Sequence, residues 1–299
     1  MRVGFCLPQF GAPARQAGQI AWFAAEAERL GAHSLWVGDR LMAPVDPAVG
    51  YGGTDTIPEQ FRSVLDPFTV LAIAATATSS ARLGSSVINL PWYPPVMAAR
   101  SLTTVDVVSG GRLLPGFGIG WSPDEYQAAN IPWRGRGARL EESLDALEAI
   151  WGPGPAAYTG AAWTMPASHL DLRPVQQPHP PIYLGGLSEA ALARVGRRAD
   201  GWLPAVRLPG FAEPGPILLQ REVVARAAAE SDRDAGQIAT ALRINANAGT
   251  TVEQIVAAMD RIEQGTGIEH MFVDLMYLAS DVPEMLGLAT RILERAGAG

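Results

Sequence analysis

The sequence predicts a (β/α)8 barrel, and three observations lead there. Short β-branched or aromatic runs alternate with longer helical patterns, and eight strand–helix units can be counted. The chain has 299 residues, a length at which such a barrel forms one domain, here expected over 1–299. Hydrophobic residues make up 48% and charged residues 18%, so a large core can be buried and disorder is excluded. A doubly wound sheet is the rival, but it usually carries only about five or six strands.

Taken in order, the first strand is expected over Arg2–Leu7 and the first helix over Arg15–Leu30. That helix carries Ile20, Phe23, Ala24, Ala27 and Leu30 on one stripe, and Gly31 closes it. His33–Gly38 is the second strand; Asp66 caps and Pro67 opens the next helix. Arg82–Ile88 is the third strand and Val96–Val108 its helix, and Arg112–Gly118 is the fourth strand and Ala138–Trp151 its helix. Proline-rich Gly152–Pro181 reads as an insertion with a hairpin around Tyr158–Pro166. The alternation resumes with strands at Pro181–Leu184, Gly201–Leu203, Thr240–Ala246 and His270–Leu275. Their helices are Ser188–Arg197, Pro216–Glu230, Thr251–Gln264 and Val282–Ala296. The Gly/Pro-rich loop Leu41–Arg62 follows strand two and should lie at the C-terminal mouth, where barrel active sites sit. This loop and Gly152–Pro181 are both expected to set specificity.

Composition removes several function classes. The net charge is −7, which argues against a nucleic-acid partner. All 23 basic residues are arginine; with no lysine there is no Schiff-base chemistry and no P-loop. One cysteine, Cys6, excludes a disulfide framework and a cysteine-built metal site. The four histidines, His33, His169, His179 and His270, show no metal-ligand spacing, and no metal is expected. The first apolar run ends at Pro8, too short for a signal peptide, and no stretch is long enough for a membrane span. A cytoplasmic protein with no membrane partner is expected.

In a barrel, chemistry is carried by the C-terminal strand ends. There stand Gln9-Phe10, Asp39-Arg40, Asn89, Gly118-Ile119-Gly120-Trp121, Gly185-Gly186-Leu187-Ser188, Asn245 and Asn247. Gly185, Gly186 and Ser188 suit a phosphate, because the backbone can approach closely and a helix N-terminus follows. A tight turn with an ordinary serine cap accounts for the same residues equally well. Gly118 and Gly120 form a G-x-G without the rest of a dinucleotide fingerprint, so a plain turn is the alternative. Asp39 suits hydrogen bonding or proton transfer, or a salt bridge to a neighbouring arginine, and as a strand-end carboxylate at the mouth it should be partly solvated. Trp92, Tyr93 and Trp121 either wall a planar ligand or cover the rim. Arg134, Arg136 and Arg139 either hold an anionic tail or form a solvated helix entry.

Several stretches, in order, then identify a resemblance. They are Gly4-Phe5-Cys6-Leu7-Pro8, Leu35-Trp36-Val37-Gly38-Asp39-Arg40, Arg82-Leu83-Gly84-Ser85-Ser86-Val87 and Asp106-Val107-Val108-Ser109-Gly110-Gly111-Arg112. Gly118-Ile119-Gly120-Trp121, Pro178-His179-Pro180-Pro181-Ile182-Tyr183-Leu184-Gly185-Gly186 and Ala199-Asp200-Gly201-Trp202 follow. Together they resemble the bacterial luciferase-like monooxygenase superfamily, and within it the oxidoreductases of the deazaflavin coenzyme F420. The resemblance implies a flavin-like ring at the mouth, backed by a non-prolyl cis peptide at Ser86-Val87, with Ile88 and Asn89 lining the pocket. It places Asp39 beside the ring, Gly118 and Gly120 at the strand-four turn, and Gly185, Gly186 and Ser188 at the cofactor phosphate. It also implies a small-molecule substrate and a homodimer.

Two departures from the family pattern matter. Arg40 stands where many relatives have histidine; a permanent cation is a poor base, so Arg40 is expected to hold an anionic substrate or the reduced ring. Trp121 stands where the sugar-phosphate dehydrogenases have glutamate, which argues against that substrate. The expected activity is F420-dependent hydride transfer, with Asp39 and Arg40 as the catalytic pair. An FMN-dependent monooxygenase, a non-catalytic flavin-binding barrel and a metal-free phosphosugar isomerase are the alternatives.

Overall fold

The structure, a computed structural model, describes residues 1–210 and 212–297; Phe211, Ala298 and Gly299 of the expected domain lie outside the described residues. Eight strand positions close into a ring of parallel neighbours. We number them β1 (Arg2–Cys6), β2 (Ser34–Val37), β3 (Arg82–Ser85 and Ile88–Asn89), β4 (Leu113–Leu114 and Gly116–Gly118) and β5 (Tyr183–Gly185). The rest are β6 (Gly201–Leu203 and Ala205–Leu208), β7 (Ala239–Thr240 and Leu242–Ala246) and β8 (His270–Asp274). One turn of register runs Phe5 to Leu35, Leu35 to Leu83, Leu83 to Leu113, Phe117 to Leu184 and Leu184 to Trp202. It continues from Val206 to Ile244, Ile244 to Val273, and Val273 back to Phe5.

The strands expected as continuous are broken, and the breaks have local causes. Pro115 and Pro204 have no N–H for the ladder, so β4 and β6 each restart after a proline. β6 then runs on to Leu208, past the expected end at Leu203. β3 is interrupted by a cis peptide between Ser86 and Val87, at the expected position. The expected helix Arg15–Leu30 is also split. Gly11–Ala14 and the turn Ala17–Gln19 precede a helix at Ile20–Arg29, because Gln16 is non-helical and Gly18 is a poor helix former. The caps fall where the sequence puts them: Asp66 accepts from the Thr69 amide, Ser188 from Ala191, and Thr251 forms a capping box with Gln254.

Alternation along each strand builds two cores. Outward residues meet the helix layer in one large apolar cluster. Inward residues plug the barrel: Cys6, Trp36, Leu114, Tyr183, Leu203 and Phe272. Trp36 stacks on Phe272 at 4.1 Å, and Gly84 leaves its space, since a Cβ there would stand 2.3 Å from the indole. Beneath the plug, His270 shares a 2.8 Å hydrogen bond with Ser34, and burial pushes its pKa down to about 3. His33 and His270 therefore sit at the N-terminal end, away from the mouth.

The two long insertions end on opposite faces. Leu41–Arg62 follows a strand and lies over the mouth, to which it gives Tyr51 and Phe61. Gly152–Pro181 follows a helix, so it leaves from the N-terminal face. Its hairpin, Ala156–Thr159 with Thr164–Ser168, climbs the outside of helix Arg136–Trp151, where Glu142 accepts from the Ala162 and Trp163 amides. None of its residues lines the mouth, which corrects the expectation that it sets specificity.

Candidate active site

A cavity of about 460 Å³ opens at the C-terminal mouth. Asp39, Arg40, Ser86, Val87, Asn89, Gly118, Gly120, Gly185, Gly186 and Ser188 all line it. Ile88 does not. It is fully buried in the interlayer core, because a strand side chain next to an inward Val87 must point outward. A hollow of about 530 Å³ beside the mouth is lined by Arg15, Arg62, Ser63 and apolar groups, with no carboxylate among them.

Asp39 is carried by the strand-two end and is only 6% exposed, so it is not the partly solvated carboxylate expected of a mouth residue. Its Oδ2 accepts from the Asn89 amide at 2.9 Å, and the Tyr93 hydroxyl reaches both oxygens at 3.1 and 3.2 Å. The Asn89 side chain donates to the Asp39 carbonyl at 3.0 Å. Burial dominates and pushes the carboxyl up to about 7; the Asn89 and Tyr93 hydrogen bonds pull the other way. A carboxyl that titrates near neutrality inside a cleft can give or take a proton.

Asp39 makes no salt bridge with Arg40. Arg40 instead pairs with Glu125, Nη2 to Oε2 at 3.1 Å, and its guanidinium lies over Trp121 at 4.2 Å and Phe61 at 4.9 Å. Both partners are buried. Glu125 Oε1 accepts from the Leu41 amide at 2.7 Å and so fixes the start of the mouth loop. Burial raises the Glu125 pKa, while Arg40 and the Leu41 and Met42 amides oppose this. Glu125 stands on a short helix, Pro123–Ala128, that sequence reading missed. The signal was there: Ser122-Pro123-Asp124-Glu125 has a cap residue, proline at the first position and two acids in the first turn.

The floor is built around Val87. A Cβ on Gly118 would stand 2.5 Å from one Val87 methyl, and one on Gly185 2.9 Å from the other. These glycines make room for a branched apolar side chain raised between two strand ends. Arg243 of β7, also missed in the sequence, braces the floor from across the barrel. It donates to the Ser86 carbonyl at 2.6 Å and pairs with Asp274 of β8.

The Gly186 loop needs glycine for its own fold. Its φ is +141°, and a Cβ would meet the Ala191 Cβ at 2.5 Å. Valine there would displace the loop whether or not a ligand is present, so Ser188 is the cleaner probe. Ser188→Ala should cost about 1 kcal/mol through the lost cap to Ala191, read by urea unfolding. Arg194, one helix turn and a half further on, also lines the mouth and pairs with Glu141 at 2.7 Å. Trp121 walls the cavity, whereas Trp92 is buried against Tyr126. Arg134, Arg136 and Arg139 stay outside the mouth; Arg136 stacks on Trp133 and Arg139 reaches the Pro132 carbonyl.

The comparisons with known proteins agree with this fold. The family model described as luciferase-like monooxygenase matches residues 1–292. An uncharacterized protein of Mycobacterium tuberculosis is 31% identical over 196 residues, 64% of this chain and 69% of that protein. The FMNH(2)-dependent dimethylsulfone monooxygenase of Pseudomonas putida is 32% identical over 154 residues, 50% of this chain and 40% of its own. Among solved structures, an F420-dependent secondary alcohol dehydrogenase in complex with an F420-acetone adduct superposes with a TM-score of 0.75. Its identity is 14%, with 99% of this chain and 98% of that one covered. At that identity the likeness shows a shared fold alone.

Proposed function

The chain belongs to the luciferase-like monooxygenase family, and from that premise we propose an oxidoreductase that uses coenzyme F420 to move a hydride to or from a small organic substrate. The residues present fit a flavin-like group: Val87, set between two glycines that a Cβ would close, offers an apolar floor, and Ser188 and Arg194 line the same cavity. When bound, the deazaflavin would supply or accept the hydride. Val87 and the Gly118 and Gly185 backbone would support the ring; Gly186, Ser188 and Arg194 would hold the phosphate-bearing tail.

One observation carries the choice of hydride transfer. Reduction of a carbonyl requires one proton at its oxygen, and the reverse removes one. Asp39, buried at the mouth and titrating at about 7, is built for that exchange. Asn89 and Tyr93 hold its oxygens in place. The sign of the pH dependence follows. Carbonyl reduction needs protonated Asp39, so turnover should fall as pH rises through about 7. Alcohol oxidation needs the carboxylate, so turnover should rise through the same pH. A pH–rate profile flat across that window in both directions would remove Asp39 from proton transfer.

The relationship to the FMNH(2)-dependent monooxygenase supports a second reading, in which the same mouth takes FMN. Equilibrium titration with each cofactor separates the two. F420 should bind at least ~10-fold more tightly than FMN; the reverse order would favour the monooxygenase.

A further inference from the structure

We propose that the reaction end of the mouth takes an uncharged carbonyl compound or the matching alcohol, and that Glu125 enforces this choice by cancelling the charge of Arg40. The proposal rests on the hydride-transfer reading, but its test reads binding, so the two can fail separately.

Arg40 and Arg243, which line the cavity with Asp39, are already matched. Arg40 is paired with Glu125 at 3.1 Å, with side chains 6% and 1% exposed. Arg243 is paired with Asp274, whose side chain is 3% exposed. Hydrogen-bonding capacity is left over where charge is not. Arg40 Nε and Nη1, Arg243 Nε and Asn245 Oδ1 have no partner among the described residues. All three residues line the cavity. Their neighbours are aromatic or apolar: Phe10, Tyr51, Phe61, Trp121 and Met276.

An uncharged oxygen can use the spare N–H groups without disturbing either pair. A carboxylate would bring a further negative charge into a cavity lined by Asp39, where Arg40 and Arg243 are already committed to Glu125 and Asp274. A cationic substrate meets the mirror problem at Arg40 and Arg243. Arg40, committed to Glu125, is then not free to hold the anionic substrate or reduced ring expected from the sequence. Arg194 is matched as well: with Arg197 and Arg198 it faces the three carboxylates Glu141, Asp145 and Glu148.

Glu125→Gln removes the charge but keeps an oxygen for the Leu41 amide, so the loop retains its anchor. The probes are benzamide and benzoate, alike in shape and different in charge, with dissociation constants measured on the full chain by ligand-observed NMR, with and without F420. Wild type should bind benzamide at least ~10-fold more tightly than benzoate. Glu125→Gln should narrow or invert that ratio by at least ~10-fold, because Arg40 is then uncompensated. The double variant Arg40→Met/Glu125→Gln should restore the wild-type preference, and it serves in place of the single variant if that does not fold. Benzoate binding to wild type as tightly as benzamide, an unchanged ratio in Glu125→Gln, a double variant that prefers benzoate, or no benzamide binding to wild type would each overturn the proposal.

Discussion

Asp39→Asn should lower turnover by roughly 10²–10⁴-fold, the range for losing a positioned acid–base group, while stabilising the fold at alkaline pH. Folding raises the Asp39 pKa from an ordinary 3.8 to about 7. The stabilising proton uptake is fully present below 3.8 and is lost as pH rises towards 7, because the folded chain keeps a proton that the unfolded chain has released. Asparagine has nothing to titrate. Relative to wild type, the variant should therefore gain on the order of a few kcal/mol between pH 4 and pH 8. Urea unfolding at those two pH values checks this. A variant that keeps its turnover, or loses stability equally at both, contradicts the role given to Asp39.

The second large effect is structural. Arg243→Met should destabilise the chain by about 3–5 kcal/mol, because it strands a buried Asp274 carboxylate and the Ser86 carbonyl. Adding Asp274→Asn should recover much of the loss, since the cost lies in the unpaired charge and not in the missing pair. The double-mutant cycle in urea measures the coupling directly. A single variant within about 1 kcal/mol of wild type would mean that the brace across the barrel floor carries little.

The barrel was legible because strand and helix periods alternate cleanly and several helix caps, Asp66, Ser188 and Thr251, are local signals. Strand ends place residues, so most of the mouth could be named in advance. What escaped depends on contacts distant in sequence. Glu125 meets Arg40 across 85 positions and Arg243 meets the Ser86 carbonyl across 157, and no local pattern encodes either pairing. Ile88 was misplaced by one step of a two-residue alternation, because the break in β3 hides which face each residue takes. Asp39 is drier than the partly solvated strand-end carboxylate expected, because its cover, Tyr93 and the loop ending at Arg62, comes from later in the chain.

The most direct measurement is a strictly anaerobic turnover with reduced F420 and an uncharged ketone. The deazaflavin should be oxidised and one alcohol should form for each equivalent consumed, with no oxygen required. No reaction under those conditions, together with oxygen consumption and an oxygenated product when reduced FMN is supplied, would contradict the hydride-transfer reading.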